Sequence, residues 1–287
     1  MNGTSFTTRD MELRDISNAM KLSSAEGWNQ TEKDWKLLIQ NPENVCLLVD
    51  DCSKIIGTTT AMNYSNQVAW IGMVLVDKGY RRQGVSKMLL TETFKRIEAC
   101  PSIKLDATLD GQQVYKKFGF KEEYTVDRMA TPSFHNHLIG EDGNLAVPIQ
   151  AEHIHDIIAF DETVFGTKRG GLVEALVTQY PYYAWHVRDN NRVSGFVLGR
   201  DGFKFHQIGP LSARNLTDAK ILISKTLQQL KHQAIVVDVP SDKVDWINWL
   251  TSIGFSKQRT FVRMYKNQNT FPGVPQKQFM ICGPEFG

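Results

Sequence analysis

The chain has 287 residues, of which 41% are hydrophobic, and its 33 lysine and arginine residues nearly balance 31 aspartate and glutamate residues. This length suits two ordinary domains or one large one, and the apolar content is enough for a sizeable core. The near-neutral charge excludes a global field that would steer the chain to nucleic acid or to an anionic membrane surface.

The segments that could direct the chain to a membrane or to export are missing from the sequence pattern. No run of about 18 apolar residues occurs, and the first residues lack a basic and then apolar leader. The four cysteines show no C-x-x-C spacing, so we expect reduced thiols. We therefore expect a cytoplasmic protein whose partners include neither nucleic acid nor membrane, and the oligomeric state stays open.

The first elements in chain order are a short strand, two helices and a hairpin. A strand is predicted over Ser5–Arg9, and helices are predicted on both sides of Trp28. The apolar runs Val45–Asp50 and Ile55–Met62 flank a polar turn, which is typical of a hairpin. A further apolar run predicts a strand over Val68–Val76.

The most informative stretch follows that strand, where a basic loop with a glycine leads directly into a helix. Apolar residues between Val85 and Ile97 recur at the spacing of one buried helical face. Unpaired N–H groups and the positive end of the helix dipole favour a phosphate at such a start, and Gly84 allows a close approach. Arg81 and Arg82 add positive charge. The stretch predicts a diphosphate site, although a glycine here also suits a plain helix-initiating turn.

A strand and a short helix are predicted next. The strand is Ser102–Thr108, and the helix runs from near Gly111 to the turn at Gly119. Tyr115 lies on this helix, where it is either a functional phenol or a half-buried aromatic that packs the helix on a sheet.

These residues resemble the GCN5-related N-acetyltransferase (GNAT) family over roughly residues 4–132. Arg81-x-x-Gly84-x-Ser86 is similar to the family's Q/R-x-x-G-x-G/A loop, with serine in the place of the usual glycine or alanine. The resemblance implies an α+β (α/β) fold with a mixed, mostly antiparallel sheet flanked by helices, and acetyl-CoA as co-substrate without a metal. It also implies a set of coenzyme-binding residues, namely Val74, Leu75, Val76, Arg81, Arg82, Gln83, Gly84, Val85, Ser86 and Thr108.

The resemblance also implies the chemical roles. Backbone N–H groups of Val74–Val76 would contact the thioester carbonyl, and Tyr115 would give a proton to the departing thiolate. Asp106 is our candidate for holding the ammonium or accepting its proton, with a strand-end residue bonded to a nearby turn as the alternative. Trp28 and Asn29 lie where the family covers the acceptor, although a tryptophan there also suits packing.

A metal site is not expected from the seven histidines. His135 and His137 are two residues apart, as are His153 and His155, but neither pair has cysteines or a carboxylate at ligand-like spacing.

The second half of the chain repeats the first in a degenerate form. Gly119-Phe120 and the following Arg128-Met129 recur as Gly254-Phe255 and Arg263-Met264. Ile103–Asp106 recurs as Ile235–Asp238, and two further matches occur in the same order at a similar offset. We expect two tandem GNAT-like domains, a catalytic one over residues 1–132 and a degenerate one over residues 148–287, joined by a linker over 133–147.

The repeat lacks the features that would bind a coenzyme. No glycine occurs where the basic loop should recur, and Asp218 places a carboxylate in the first helical turn. We expect Thr217 and Asp218 to cap that helix, and Leu250 to stand at the position of Tyr115.

Two functions follow from these expectations. The first is an acetyl-CoA-dependent N-acetyltransferase that acts on a small-molecule amine, with the second domain narrowing the cleft. The alternative is a non-catalytic acyl-CoA-binding regulatory or interaction protein.

Overall fold

A computed structural model describes residues 6–52, 54–135 and 145–287. The backbone divides into two compact units, Met1–Lys104 and Leu105–Gly287. The expected strand start at Ser5, His137 and most of the expected linker, residues 136–144, lie outside the described residues. The domain limits predicted from the repeat stay a prediction.

The first unit holds a sheet with helices packed on it. Its elements are β1 (Thr8–Asp10), α1 (Ile16–Ala25), α2 (Glu32–Gln40), β2 (Val45–Asp51), β3 (Lys54–Tyr64), β4 (Val68–Val76), α3 (Val85–Arg96) and the start of β5 (Ser102–Thr108). The sheet order is β1-β2-β3-β4-β5, with antiparallel neighbours up to β4 and a parallel pair between β4 and β5. The predicted hairpin, strands and helices are therefore confirmed.

Helix α3 packs tightly on the sheet through the face that the sequence predicts. Val85 and Leu89 are buried in one cluster with Leu47, Val49 and Ile56 from the strands. Gly57 makes this close approach possible, because a Cβ there would lie 2.7 Å from the Val85 Cγ1 atom. The start of α3 is thus fixed against β3.

The second unit contains a larger sheet with its own helices. Its helices are α4 (Leu109–Lys117), α5 (Ile154–Phe165), α6 (Gly170–Gln179), α7 (Leu216–Gln228) and α8 (Val244–Ser252). Its strands are β6 (Lys121–Thr131), β7 (Val147–Pro148), β8 (Trp185–Asp189), β9 (Arg192–Arg200), β10 (His206–Ala213), β11 (Ile235–Pro240), β12 (Ser256–Asn267) and β13 (Gln278–Met280). The strand order is β12-β6-β11-β10-β9-β8-β7, with β13 on β10.

One strand from the first half of the sequence lies among strands of the second half. Strand β6 pairs antiparallel with β11 on one side, through Met129 and Val237, and with β12 on the other, through Val126 and Phe261. The duplicated sequence is therefore interleaved in this sheet.

Among the helices of the described residues, none is both long and apolar enough to cross a membrane.

Candidate active site

Strand β4 is distorted just before the basic loop. Met73 has a positive φ of 50°, the pairing of β4 with β3 shifts register between Thr58 and Thr60, and Thr58 Oγ1 donates to the Met73 carbonyl at 2.8 Å. The ladder from β4 to β5 in this unit covers only Val68–Trp70. A bulge of this kind redirects the backbone at functional sites.

The loop after β4 presents an uncapped helix start. Gly84 precedes α3 with φ +86°, and as a glycine it offers no side chain to cap this end. A Cβ added at Gly84 would meet no atom within 4 Å. Because the first N–H groups of a helix have no partner inside the helix, they are available to an anion here.

Side-chain contacts hold the loop in this conformation. Gln83 Nε2 donates to the Gly79 carbonyl at 3.1 Å, and Asp77 accepts from the Gly79 N–H at 2.9 Å. Arg82 has a left-handed φ of 64°, and its side chain is exposed. The loop is thus preorganised around a positively charged helix end.

Arg81 connects the basic loop to the segment that was predicted to contact the acceptor. Its guanidinium lies 2.5 Å from Glu26 Oε1, and Glu26 directly follows α1 and precedes Trp28 and Asn29. Trp28 is half-buried and Asn29 is buried. The structure therefore brings the predicted coenzyme loop and the predicted acceptor segment together in the first unit.

Sequence reasoning missed Gln30 in this segment. Its side chain is buried, and its Oε1 atom has no hydrogen-bond partner among the described residues. A buried amide oxygen without a donor is unusual and fits a site that receives an N–H group from a ligand. In the sequence, Gln30 is only a polar residue before the helix cap Thr31, and nothing there indicates that its side chain is buried.

Thr108 ends β5 and directly precedes α4, and Tyr115 lies on α4, so both belong to the second unit. Thr108 Oγ1 accepts the Gly111 N–H at 3.1 Å and so caps the helix, a use of this hydroxyl that the sequence did not predict. The half-buried Tyr115 ring meets Phe120 edge-on at 5.8 Å. Burial raises the pKa of the Tyr115 phenol, which keeps it protonated at neutral pH, as a proton donor must be.

Asp106 has a structural partner, which corrects the expectation that it handles the proton of the amine. Arg263 Nε and Nη2 donate to its two carboxylate oxygens, both at 2.8 Å, and the Asp106 side chain is fully buried. Arg263 Nη1 also contacts the Tyr124 hydroxyl at 2.6 Å. A carboxylate held by a bidentate guanidinium away from solvent is poorly placed to accept a substrate proton.

The same ion pair occurs a second time in the interleaved sheet. Arg128 binds Asp238 through two hydrogen bonds of 2.8 Å, and Gln207 Nε2 adds a third at 3.0 Å. Asp238 is the repeat partner of Asp106, and Arg263 is that of Arg128. Each aspartate is therefore bound by an arginine from the other half of the sequence, which indicates a shared structural role.

Comparison with known proteins identifies the family of this chain. Two models of the acetyltransferase (GNAT) domain match the chain, one over residues 41–122 and the other over residues 157–280. The chain belongs to the GNAT family. It is a tandem protein with two GNAT domains, as the repeated motifs predicted.

Two relatives align with most of this chain at low identity. The holothin acyltransferase of a Pseudoalteromonas species is 24% identical over 283 residues, which cover 98% of this chain and 95% of the relative. An uncharacterized N-acetyltransferase of Bacillus subtilis, YitH, is 24% identical over 84% of this chain and 85% of its own.

Solved structures show the same fold. A putative acetyltransferase from Pyrococcus horikoshii superimposes with a TM-score of 0.81 at 21% identity, over 100% of this chain and 97% of the other. A tandem GNAT protein from the clavulanic acid biosynthesis pathway gives a TM-score of 0.65 at 11% identity, over 91% of this chain and 98% of the other.

In the second GNAT domain, a side chain caps the helix that corresponds to α3 of the first domain. Asn215 precedes α7, and its side-chain oxygen accepts the Asp218 N–H at 2.8 Å. This corrects the expectation that Thr217 and Asp218 form the cap, because the helix begins at Leu216. The cap occupies an N–H group that an anion would need.

The position of Tyr115 corresponds to Leu250 in the second GNAT domain, as expected. The Phe120 N–H donates to the Tyr115 carbonyl at 3.2 Å, and the Phe255 N–H donates to the Leu250 carbonyl at 3.1 Å. Leu250 is fully buried and has no proton to donate.

No group of three metal-ligating side chains occurs in residues 6–52, 54–135 and 145–287. His153 instead packs on the buried His186, with 4.5 Å between ring centroids.

Proposed function

We propose that the chain is an acetyl-CoA-dependent N-acetyltransferase whose working site belongs to the first GNAT domain. The acceptor is the primary amine of a small molecule. The observation that carries this proposal is the open, left-handed start of α3 at Gly84, flanked by Arg81 and Arg82. The capped start of α7 at Asn215 provides the internal contrast.

The coenzyme would bind this site through its phosphates. The N–H groups at the start of α3 would donate to the diphosphate, and the arginine side chains would add charge that is independent of pH in the physiological range. Arg81 already pairs with the half-buried Glu26, so we expect its guanidinium to exchange this partner for phosphate.

The chemical step requires few residues. The amine nitrogen attacks the thioester carbonyl carbon, the C–S bond breaks, and the departing thiolate takes the proton of the Tyr115 hydroxyl. A phenol with a raised pKa is protonated before the reaction, and an ordinary thiol pKa of about 8.5 makes the thiolate a moderate base. Because Asp106 is bound to Arg263, we assign the loss of the amine's proton to water, and the Tyr115 phenolate regains a proton from that water.

The acceptor segment favours a small ligand. Trp28 offers a half-buried aromatic surface, and the unpartnered Gln30 oxygen can accept an N–H group. The relative from Pseudoalteromonas is named holothin acyltransferase and matches this chain over nearly its whole length. This supports acyl transfer as the activity of the two-domain arrangement.

A screen of amines with acetyl-CoA tests the proposal, with released coenzyme A detected through its thiol. We expect steady turnover with at least one small primary amine. Tight binding of acetyl-CoA without turnover on any amine would favour the alternative, a non-catalytic acyl-CoA-binding regulatory or interaction protein.

A matched pair of glycine variants tests the location of the site. Gly84 and Gly254 both have a left-handed φ, +86° and +100°, and a Cβ at either meets nothing within 4 Å. Both substitutions to glutamate therefore carry a similar backbone strain. We expect Gly84→Glu to abolish acetyl-CoA binding and turnover, while Gly254→Glu retains both. Equal affinity in the two variants would contradict the assignment.

A further inference from the structure

The last ten residues of the chain as given, segment 278–287, are packed into the interior of the second GNAT domain. Strand β13 and the next residues, Ile281 and Cys282, are buried, as are Glu285 and Phe286. A segment that merely lay on the surface would leave alternate side chains exposed.

This segment fills a gap between two parallel strands. The pairing of β10 with β11 ends at Ile208 and Val237, much as the pairing of β4 with β5 ends at Trp70 and Lys104. Beyond that point β10 pairs with β13, through Leu211 with Met280. On the other side, the Ile281 N–H donates to the Asp238 carbonyl of β11 at 2.9 Å.

The repeat identifies what this gap corresponds to in the first GNAT domain. Gly57 is the register partner of Val76, and Gly195 is the partner of Ala213. Counting back from these pairs, Leu211 and Ser212 are equivalent to Val74 and Leu75. Segment 278–287 therefore pairs with the backbone positions that, in the first domain, are expected to face the acyl-CoA arm.

Buried charges hold the segment in place. Arg200 binds the Glu285 carboxylate and the Cys282 carbonyl. Arg169 donates to the Gly287 carbonyl at 2.9 Å while it is paired with Asp161 at 2.8 Å. Removing one member of a buried pair leaves an uncompensated charge, so such contacts resist dissociation of the segment.

Gly209 shows that the slot is shaped around the segment. It has φ +144°, and a Cβ there would lie 2.0 Å from the Ile281 carbonyl oxygen. Any side chain at this position would collide with segment 278–287.

We propose that segment 278–287 is a built-in peptide ligand, seated by strand addition in the slot that the second GNAT domain would otherwise offer to an acyl-CoA arm. The second domain is thus a closed lobe that binds its own chain in place of coenzyme. The interpretation of the slot as an acyl-CoA site rests on the proposed function, whereas the contacts of segment 278–287 with the second domain do not depend on it.

Hydrogen exchange of the full chain, measured by mass spectrometry with and without saturating coenzyme A, tests the two ideas separately. Peptides that cover residues 210–214 and 278–283 should exchange at least ~1,000-fold more slowly than unstructured chain without any ligand, and coenzyme A should not change them. Peptides that cover residues 74–76 and 82–87 should gain protection on addition of coenzyme A.

The outcomes are distinguishable. Fast exchange at 210–214 and 278–283, or new protection there on addition of coenzyme A, would overturn the built-in ligand. Absence of ligand protection at 74–76 and 82–87 would instead count against the proposed function.

A pair of variants at Ile281 completes the test. Ile281→Pro removes the N–H that reaches Asp238, whereas Ile281→Val keeps it. We expect exchange at residues 210–214 to rise at least tenfold in the proline variant alone, with coenzyme A affinity unchanged in both. Equal exchange in the two variants would show that the segment is not held as a paired strand.

Discussion

The ion pair between Asp106 and Arg263 provides a direct test of the structural role assigned to Asp106. Asp106→Asn keeps the shape of the side chain and removes its charge, so the Arg263 guanidinium, only 3% exposed, loses the carboxylate that binds it through two hydrogen bonds. Breaking a buried pair in this way costs about 3–5 kcal/mol of unfolding free energy. In a unit of this size, each kcal/mol lowers Tm by about 2–4 °C, so we expect a fall of about 6–20 °C.

The assay combines thermal unfolding with kinetics below the transition. Asp238→Asn is the matched control, because Asp238 has the same bidentate partner geometry with Arg128. We expect both variants to lose similar stability, and Asp106→Asn to keep kcat within about tenfold of the parent at 15 °C below its Tm. Replacing both Asp106 and Arg263 by leucine and methionine should restore most of the stability.

The opposite pattern would refute the reasoning. If Asp106→Asn left Tm unchanged and lowered kcat by ~100-fold or more, the size of a general acid–base contribution, Asp106 would act on the proton of the amine, as the sequence first suggested.

Three further predictions concern single side chains. Tyr115→Phe should lower kcat by ~100- to 10,000-fold with Tm nearly unchanged, and an unaltered kcat would leave Tyr115 with packing alone. Burial lowers the pKa of His186 from 6.5 to about 4, so the unfolded chain binds more protons in that window and stability falls as pH drops from 6.5 to 4. His186→Phe should flatten this fall in chemical denaturation curves, and an identical pH profile would contradict the assignment. Asn215→Ala should cost about 1 kcal/mol of unfolding free energy through loss of the cap, without altering coenzyme A affinity in calorimetry.

Local structure around the coenzyme loop follows closely from the sequence. Strands Val68–Val76 and Ser102–Thr108 have the predicted limits. The first is an apolar run between two polar residues, Gln67 and Asp77, and the second alternates polar and apolar residues throughout. The left-handed conformation of Gly84 follows from the need for a tight turn into α3. These features depend on residues that are close together in the chain, and a local sequence pattern records such residues.

Long-range pairing could not be predicted from such patterns. Asp106 and Arg263 are separated by 157 positions, and an aspartate at a strand end looks the same with or without a distant arginine. The repeat revealed that Arg263 matches Arg128, but it did not indicate that the strands of the two halves interleave. Strand exchange depends on the whole sheet and leaves local hydrophobic patterns unchanged.

The position of segment 278–287 in the sheet could not be predicted from the sequence either. Its strand has only three residues, Gln278–Met280, and short apolar runs give no periodic signal. The buried partners Arg200 and Arg169 come from elements far away in sequence. Only the three-dimensional register shows that this segment occupies the slot between β10 and β11.

Calorimetric titration of the full chain with acetyl-CoA tests the central claim most directly. One open site at Gly84, one capped helix start at Asn215 and one slot filled by segment 278–287 predict a single acetyl-CoA per chain. Binding of two molecules per chain would contradict the closed second domain, and absence of binding would contradict the acetyl-CoA site in the first.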